Sequence, residues 1–172
     1  MIDDAVLARF KIPNTVTDIY SLFNSCLGIT DASNLVIPNS VQTMESTFSK
    51  CTSLITPPIL PNSVTSLRYT FSGCINLKSA PILPSSVTVL NGTFAGCKSL
   101  VKAPAIPNSV LYMENTFSNC TSLSDLSLFT ITEGVASING LFMNCTNLID
   151  LHSLNIPNSV TKMESAFEGC TK

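Results

Sequence analysis

The chain has 172 residues, 45% of them hydrophobic and 12% charged, with nine basic against eleven acidic side chains and a formal net charge of −2. So small a net charge leaves no electrostatic footprint for a nucleic acid or an anionic membrane surface, and neither is expected as a partner. No stretch approaches the roughly 20 apolar residues that span a bilayer, and Asp3 and Asp4 stand where a signal peptide carries positive charge, so membrane insertion, an anchor and an export signal are not expected.

From the N-terminus onward one pattern recurs seven times. A phenylalanine is followed three residues later by a cysteine at Phe23/Cys26, Phe48/Cys51, Phe71/Cys74, Phe94/Cys97, Phe117/Cys120, Phe142/Cys145 and Phe167/Cys170, so successive cysteines lie 25, 23, 23, 23, 25 and 25 residues apart. A fixed period in this range outranks local propensity as a sign of fold and predicts a repeat architecture.

Each unit begins with a short apolar segment. In the first it is Phe10-Lys11-Ile12, and the residue before the following proline is Ile or Leu in every later unit (Ile37, Leu60, Leu83, Ile106, Ile131, Ile156). Two residues further back stand Leu35, Pro58, Pro81, Pro104, Phe129 and Leu154. The spacing of two predicts a strand with these residues inward, and Lys11, Val36, Ile59, Ile82, Ala105, Thr130 and Asn155 outward. Pro13, Pro38, Pro61, Pro84, Pro107 and Pro157 then open a turn, with Thr132 in their place in the sixth unit, and the Asn-Ser, Asn-Thr or Ser-Ser pairs behind the prolines are turn formers. After the turn come two apolar columns, a valine seven residues before each Phe and an aliphatic residue four before it, both expected inside. The longer units are expected to place their two extra residues between the Cys and the strand, because the distance from Val to Cys is ten throughout.

Residues after the cysteine complete a recognisable motif. The unit from Cys74 to Cys97, with Leu77 three after its first cysteine, Leu83-Pro84 ending its strand and Thr93-Phe94-x-x-Cys97 closing it, resembles the BspA-like, Treponema-type class of leucine-rich repeats over essentially the whole chain. One departure is that the aliphatic residue lies four, not five, before the Phe. The Ile-Pro-Asn-Ser-Val runs at 37–41 and 106–110 also look like the amoebal Phe-Asn-Ile-Pro repeats, whose remaining motif is missing.

The expected fold is therefore a β-rich solenoid: a right-handed leucine-rich repeat coil of about seven repeats, with a parallel sheet on one face and short turns or single helical turns elsewhere. Residues 1–172 are expected to form one such domain, part of a longer array. The resemblance implies a non-enzymatic protein, secreted or displayed at the cell surface, that binds or adheres to a host or cell-surface protein. Binding is expected through the outward face of the sheet. Its candidate residues are Val36, Ile59, Ile82 and Ala105, flanked by Asn34, Pro57, Ala80 and Ala103 and then Leu128, an apolar continuity that marks interfaces. The alternative is a structural protein that self-associates, stacking end to end into fibres through the strand edges of its terminal units.

No catalytic, metal-binding or cofactor-binding constellation is read from the sequence. The single histidine, His152, is expected in a solvent-facing loop, the aspartates are scattered over different units, and no phosphate loop or nucleophile elbow occurs. The nearest cysteines are 23 residues apart, too far for a zinc pair, and the column is expected to be a file of buried free thiols.

Overall fold

The computed structural model describes residues 2–152 and 154–171. Seven repeats pack one upon the next, and the repeating apolar columns form continuous ladders through the interior. Consecutive phenylalanine rings from Phe23 to Phe167 stack at centroid distances of 5.4 to 5.8 Å. The rings from Phe23 to Phe142 are buried, as are Val41 to Val135, Met44 to Ile138 and Cys51 to Cys145 in the neighbouring columns. Burying one such ring stabilises by about 3 kcal/mol or less from area, and stacking adds on the order of 1 kcal/mol.

The β-rich solenoid with a parallel sheet on one face is not what the chain forms. Among the described residues there is no β-strand, and the only helix is α1, Asp4–Leu7, whose N-cap Asp3 accepts a hydrogen bond from the Val6 amide at 2.9 Å. Parallel pairing among the described residues is reduced to eight isolated bridges, and the longest file of them, Asp18 to Thr43, Ser66, Val89 and Tyr112, lies after the proline turn rather than before it. The segments 58–60, 81–83 and 104–106 are extended in their alternation of buried and exposed residues, yet no inter-repeat backbone hydrogen bond joins them. Proline supplies the reason. Pro58, Pro81 and Pro104 within these segments, and Pro61, Pro84 and Pro107 directly after them, have no N–H to offer a ladder.

What ties the repeats together is a ladder of turns around each phenylalanine. In the second repeat the amides of Met44, Ser46, Phe48 and Lys50 donate to Ser66, Arg68, Thr70 and Ser72 of the third, at 2.7 to 3.1 Å. The intervening amides of Thr47, Ser49 and Cys51 close turns on carbonyls three residues back. Aiming every second N–H along the stack in this way requires left-handed residues two before and two after each Phe. All seven repeats have both, from Ser21 and Ser25 to Ser165 and Gly169. Glycine is required most plainly at Gly92, at φ +62°, where a Cβ would lie 2.2 Å from a ring carbon of Tyr69.

Short polar side chains complete the junctions. Buried Thr47, Thr70, Thr93 and Thr116, each one before its Phe, donate to carbonyls of the preceding repeat. The serines of the proline turn, Ser40, Ser63, Ser86 and Ser109, donate at 2.6 Å to the valine carbonyl of the repeat before. The sixth repeat has Gly134 at the serine position and Thr132 at the proline position. There the Thr132 hydroxyl donates to the Val110 carbonyl at 2.9 Å, so the two irregularities compensate each other.

Candidate functional site

The two residues that lengthen a repeat form a turn. In the long repeats Asp31, Asp125 and Asp150 accept through Oδ1 from the amide two residues on, at 2.8 Å, and the amides of Leu35, Phe129 and Leu154 then close on Ala32, Leu126 and Leu151. The residue that must donate this last bond is Leu or Phe. In the three short repeats the same column holds Pro58, Pro81 and Pro104, which cannot donate, and no turn forms. Hydrogen bonds from Ser127 and then the ammonium of Lys102, 3.2 Å away, hold the Asp125 carboxyl down at about 2.

Over the short repeats the absence of that turn leaves room. A cleft of about 510 Å³ lies there, lined by Ala80, Pro81, Ile82 and Leu83 of one repeat and Ala103, Pro104, Ala105 and Ile106 of the next. Leu128, on the first turn of the long type beyond them, also lines it, and Lys78 and Lys102 stand at its edge. Along the outside run Val36, Ile59 and Ile82, which are 76%, 78% and 93% exposed, and the exposed Ala105.

The flanking residues do not form one row. Asn34 is exposed and Pro57 and Ala80 are half-buried, whereas Ala103, expected on the surface, is fully buried with its amide bonded to the Asp125 carbonyl at 3.0 Å. Counting back from the proline places Asn34 and Leu128 on the inserted turn, while Ala103 is in register with buried Ala32 and Leu126.

Charge is segregated along the chain, a signal that the small net charge hides. Residues 46–113 carry Lys50, Arg68, Lys78, Lys98 and Lys102 and no acid. Residues 1–45 carry two cations against five acids, and residues 114–172 two against six. All five central cations are exposed.

The remaining titratable groups do not converge with this site. His152 is exposed, its Nδ1 2.8 Å from Asp150 Oδ1. The seven cysteines are free, and six of them, Cys51 to Cys170, donate through Sγ to a phenylalanine carbonyl of the preceding repeat at 3.0 to 3.2 Å. Burial pushes the thiols up, to about 11 at Cys51 and about 12 at Cys145, and further at Cys97, so they stay protonated at neutral pH. Among the described residues no group of three or more His, Cys, Asp or Glu is placed to hold a metal ion.

A family model described as the BspA type leucine-rich repeat region, in six copies, matches residues 4–101 and 45–172. The chain belongs to the BspA-type leucine-rich repeat family. Among solved structures it is similar to a leucine-rich repeat protein from Bacteroides ovatus, with 28% identity and a TM-score of 0.73 over 90% of this chain and 39% of that one. It is also similar to the leucine-rich repeat protein of T. pallidum, with 26% identity and a TM-score of 0.72 over 91% of this chain and 71% of that one. A third, from Eubacterium ventriosum, shares the fold at 21% identity and a TM-score of 0.64, over 94% of this chain and 42% of that one. The chain thus spans about two fifths of the length of the Bacteroides ovatus protein. No curated protein sequence matches it. Members of this family are generally non-catalytic, typically mediate protein–protein interactions and are often secreted or displayed at the surface.

Two functional expectations are corrected by the backbone. Among the described residues there is no parallel sheet, hence no sheet face through which binding or adhesion could run. Nor do the terminal repeats have strands among the described residues, so the strand edges invoked for end-to-end fibres are missing. Both ideas rested on reading alternating burial as a ladder, and proline breaks that inference.

Proposed function

We propose that this chain is a non-catalytic protein-binding repeat domain whose contact surface is the irregular apolar margin formed by Val36, Ile59, Ile82 and Ala105, with Asn34, Pro57 and Ala80 beside it. The observation that carries the reading is the near-complete exposure of Val36, Ile59 and Ile82 in three successive repeats next to an apolar cleft. Aliphatic side chains presented so consistently to water are what a protein partner covers. The partner is a host or cell-surface protein, and the domain, 1–172 within a longer array, works at the cell surface or secreted. Family membership supports that placement.

A displayed library of random peptides, selected on the folded chain, tests the reading. Selected peptides are expected to lose binding to the Ile59→Glu, Ile82→Glu double variant while its thermal midpoint stays within a few degrees of the parent. Peptides indifferent to the double variant, or a double variant that unfolds because the row is core, would sink it.

A further inference from the structure

We infer that the partner presents an extended acidic-aliphatic segment, with an aliphatic side chain in the cleft between the Ala80–Leu83 and Ala103–Ile106 segments and a carboxylate beside Lys78. This rests on the protein-binding reading above and names the chemistry of the bound segment.

Three independent features converge on it. The cleft is apolar, and at about 510 Å³ it has room for a large aliphatic side chain together with part of its backbone. Its cationic rim is unequal: Lys102 is already paired with Asp125, whereas Lys78 makes no ion pair among the described residues. The surroundings reinforce that charge, since no acid occurs anywhere in residues 46–113. Asp125, held by Lys102, is the acid next to this rim, and a carboxylate approaching Lys78 meets an excess of positive charge, which favours encounter with acidic segments and disfavours basic ones.

Backbone chemistry favours an extended chain over a helix. The amides of Ile59, Ile82 and Ala105 engage no hydrogen-bond partner among the described residues, because the proline-bearing segments do not ladder with one another. Unpaired main-chain donors beside an apolar cleft match the carbonyls of an extended segment, as in other main-chain recognition modes. A helix would offer only the carbonyls of its last turn, the others being used internally.

The same library selection decides the point. Enriched peptides are expected to combine aliphatic residues with Asp or Glu, to weaken as salt rises, and to bind the Lys78→Glu variant on the order of tenfold more weakly, with Lys78→Gln in between. Enriched sequences without acidic residues, or ones that bind Lys78→Glu as well as the parent, overturn the inference. If those sequences still depend on Ile59 and Ile82, the protein-binding reading survives that failure. No enrichment, or enrichment indifferent to Ile59 and Ile82, overturns both.

Discussion

The short repeats in the middle and the long repeats towards the ends share one core and differ at one margin. Between Phe48 and Phe117 the rings are nearly parallel, at 5° to 11°, and all four are fully buried. At the outer junctions the rings tilt to 26° and 23°, Phe167 and Cys170 are only partly buried, and Met163 is 43% exposed. The margin changes in the opposite sense. Long repeats cover it with an Asp-anchored turn, whereas the short, proline-bearing ones leave it open as a cleft. Interior ladders thus depend on having a neighbour on each side, while the surface depends on two residues of loop length. Stability and binding are therefore set by separate features.

The largest test of that separation is the phenylalanine ladder. Phe94→Ala is expected to lower unfolding stability by about 3 to 5 kcal/mol through its cavity, read from denaturant melts, and Phe167→Ala by much less. Equal losses would contradict nearest-neighbour stacking.

Alkaline pH should act on the same interior. A thiol whose folded pKa is raised adds stability that is whole below the unfolded value, about 8.5, and is lost as pH rises toward the folded one. With Cys51 at about 11 and Cys145 at about 12, stability is expected to fall from about pH 9 upward, each buried thiol contributing up to about 1.4 kcal/mol per pH unit. A pH series of melts that is flat from 9 to 11 would rule this out. In the folded protein a thiol-alkylating reagent followed by mass spectrometry should find Cys26 and Cys170, the partly buried pair, modified before the five between them.

Smaller effects sharpen the local account. Gly92→Ala is expected to destabilise by about 1 to 2 kcal/mol, since a left-handed backbone and the Tyr69 ring both oppose a Cβ. Thr93→Val should cost about 1 kcal/mol, because the Thr93 hydroxyl lies 2.8 Å from both the Leu67 and Leu90 carbonyls and valine donates to neither. Smallest of all, Ile82→Glu should change stability by about 0.5 kcal/mol or less, its side chain being 93% exposed. A large loss there would place Ile82 in the core.

Much of the interior was legible because repetition turns one chain into seven readings of the same environment. From the second to the sixth repeat the Phe, Val and Met/Leu/Ile columns and the thiol file were readable from residue type alone, and so was the alternation at Leu35-Val36-Ile37 and Leu60 with Ile59, whereas Phe10, Ile156 and Met163, expected inside, are exposed in the outer repeats. The sheet was not, because alternating burial describes side chains whereas a sheet is a statement about backbone partners. Asn34 and Leu128 were put in the wrong column because the register counted from the proline slips where a repeat is two residues longer, and Ala103, in the last short repeat, was misplaced because the neighbouring long repeat covers it, its amide meeting the Asp125 carbonyl. The basic central band was overlooked because a net charge of −2 sums over regions of opposite sign.

The sequence by itself determined the period, the family and the core columns of the central repeats, since burial follows from apolar character repeated at a fixed spacing. Tertiary structure alone decided which backbone groups pair. Left-handed residues on either side of each Phe direct the amides along the stack, and prolines remove them from the segment before the turn. It also decided where the cleft opens, because a cavity exists only between repeats, where Pro81 and Pro104 decline a turn that Leu35 and Phe129 make.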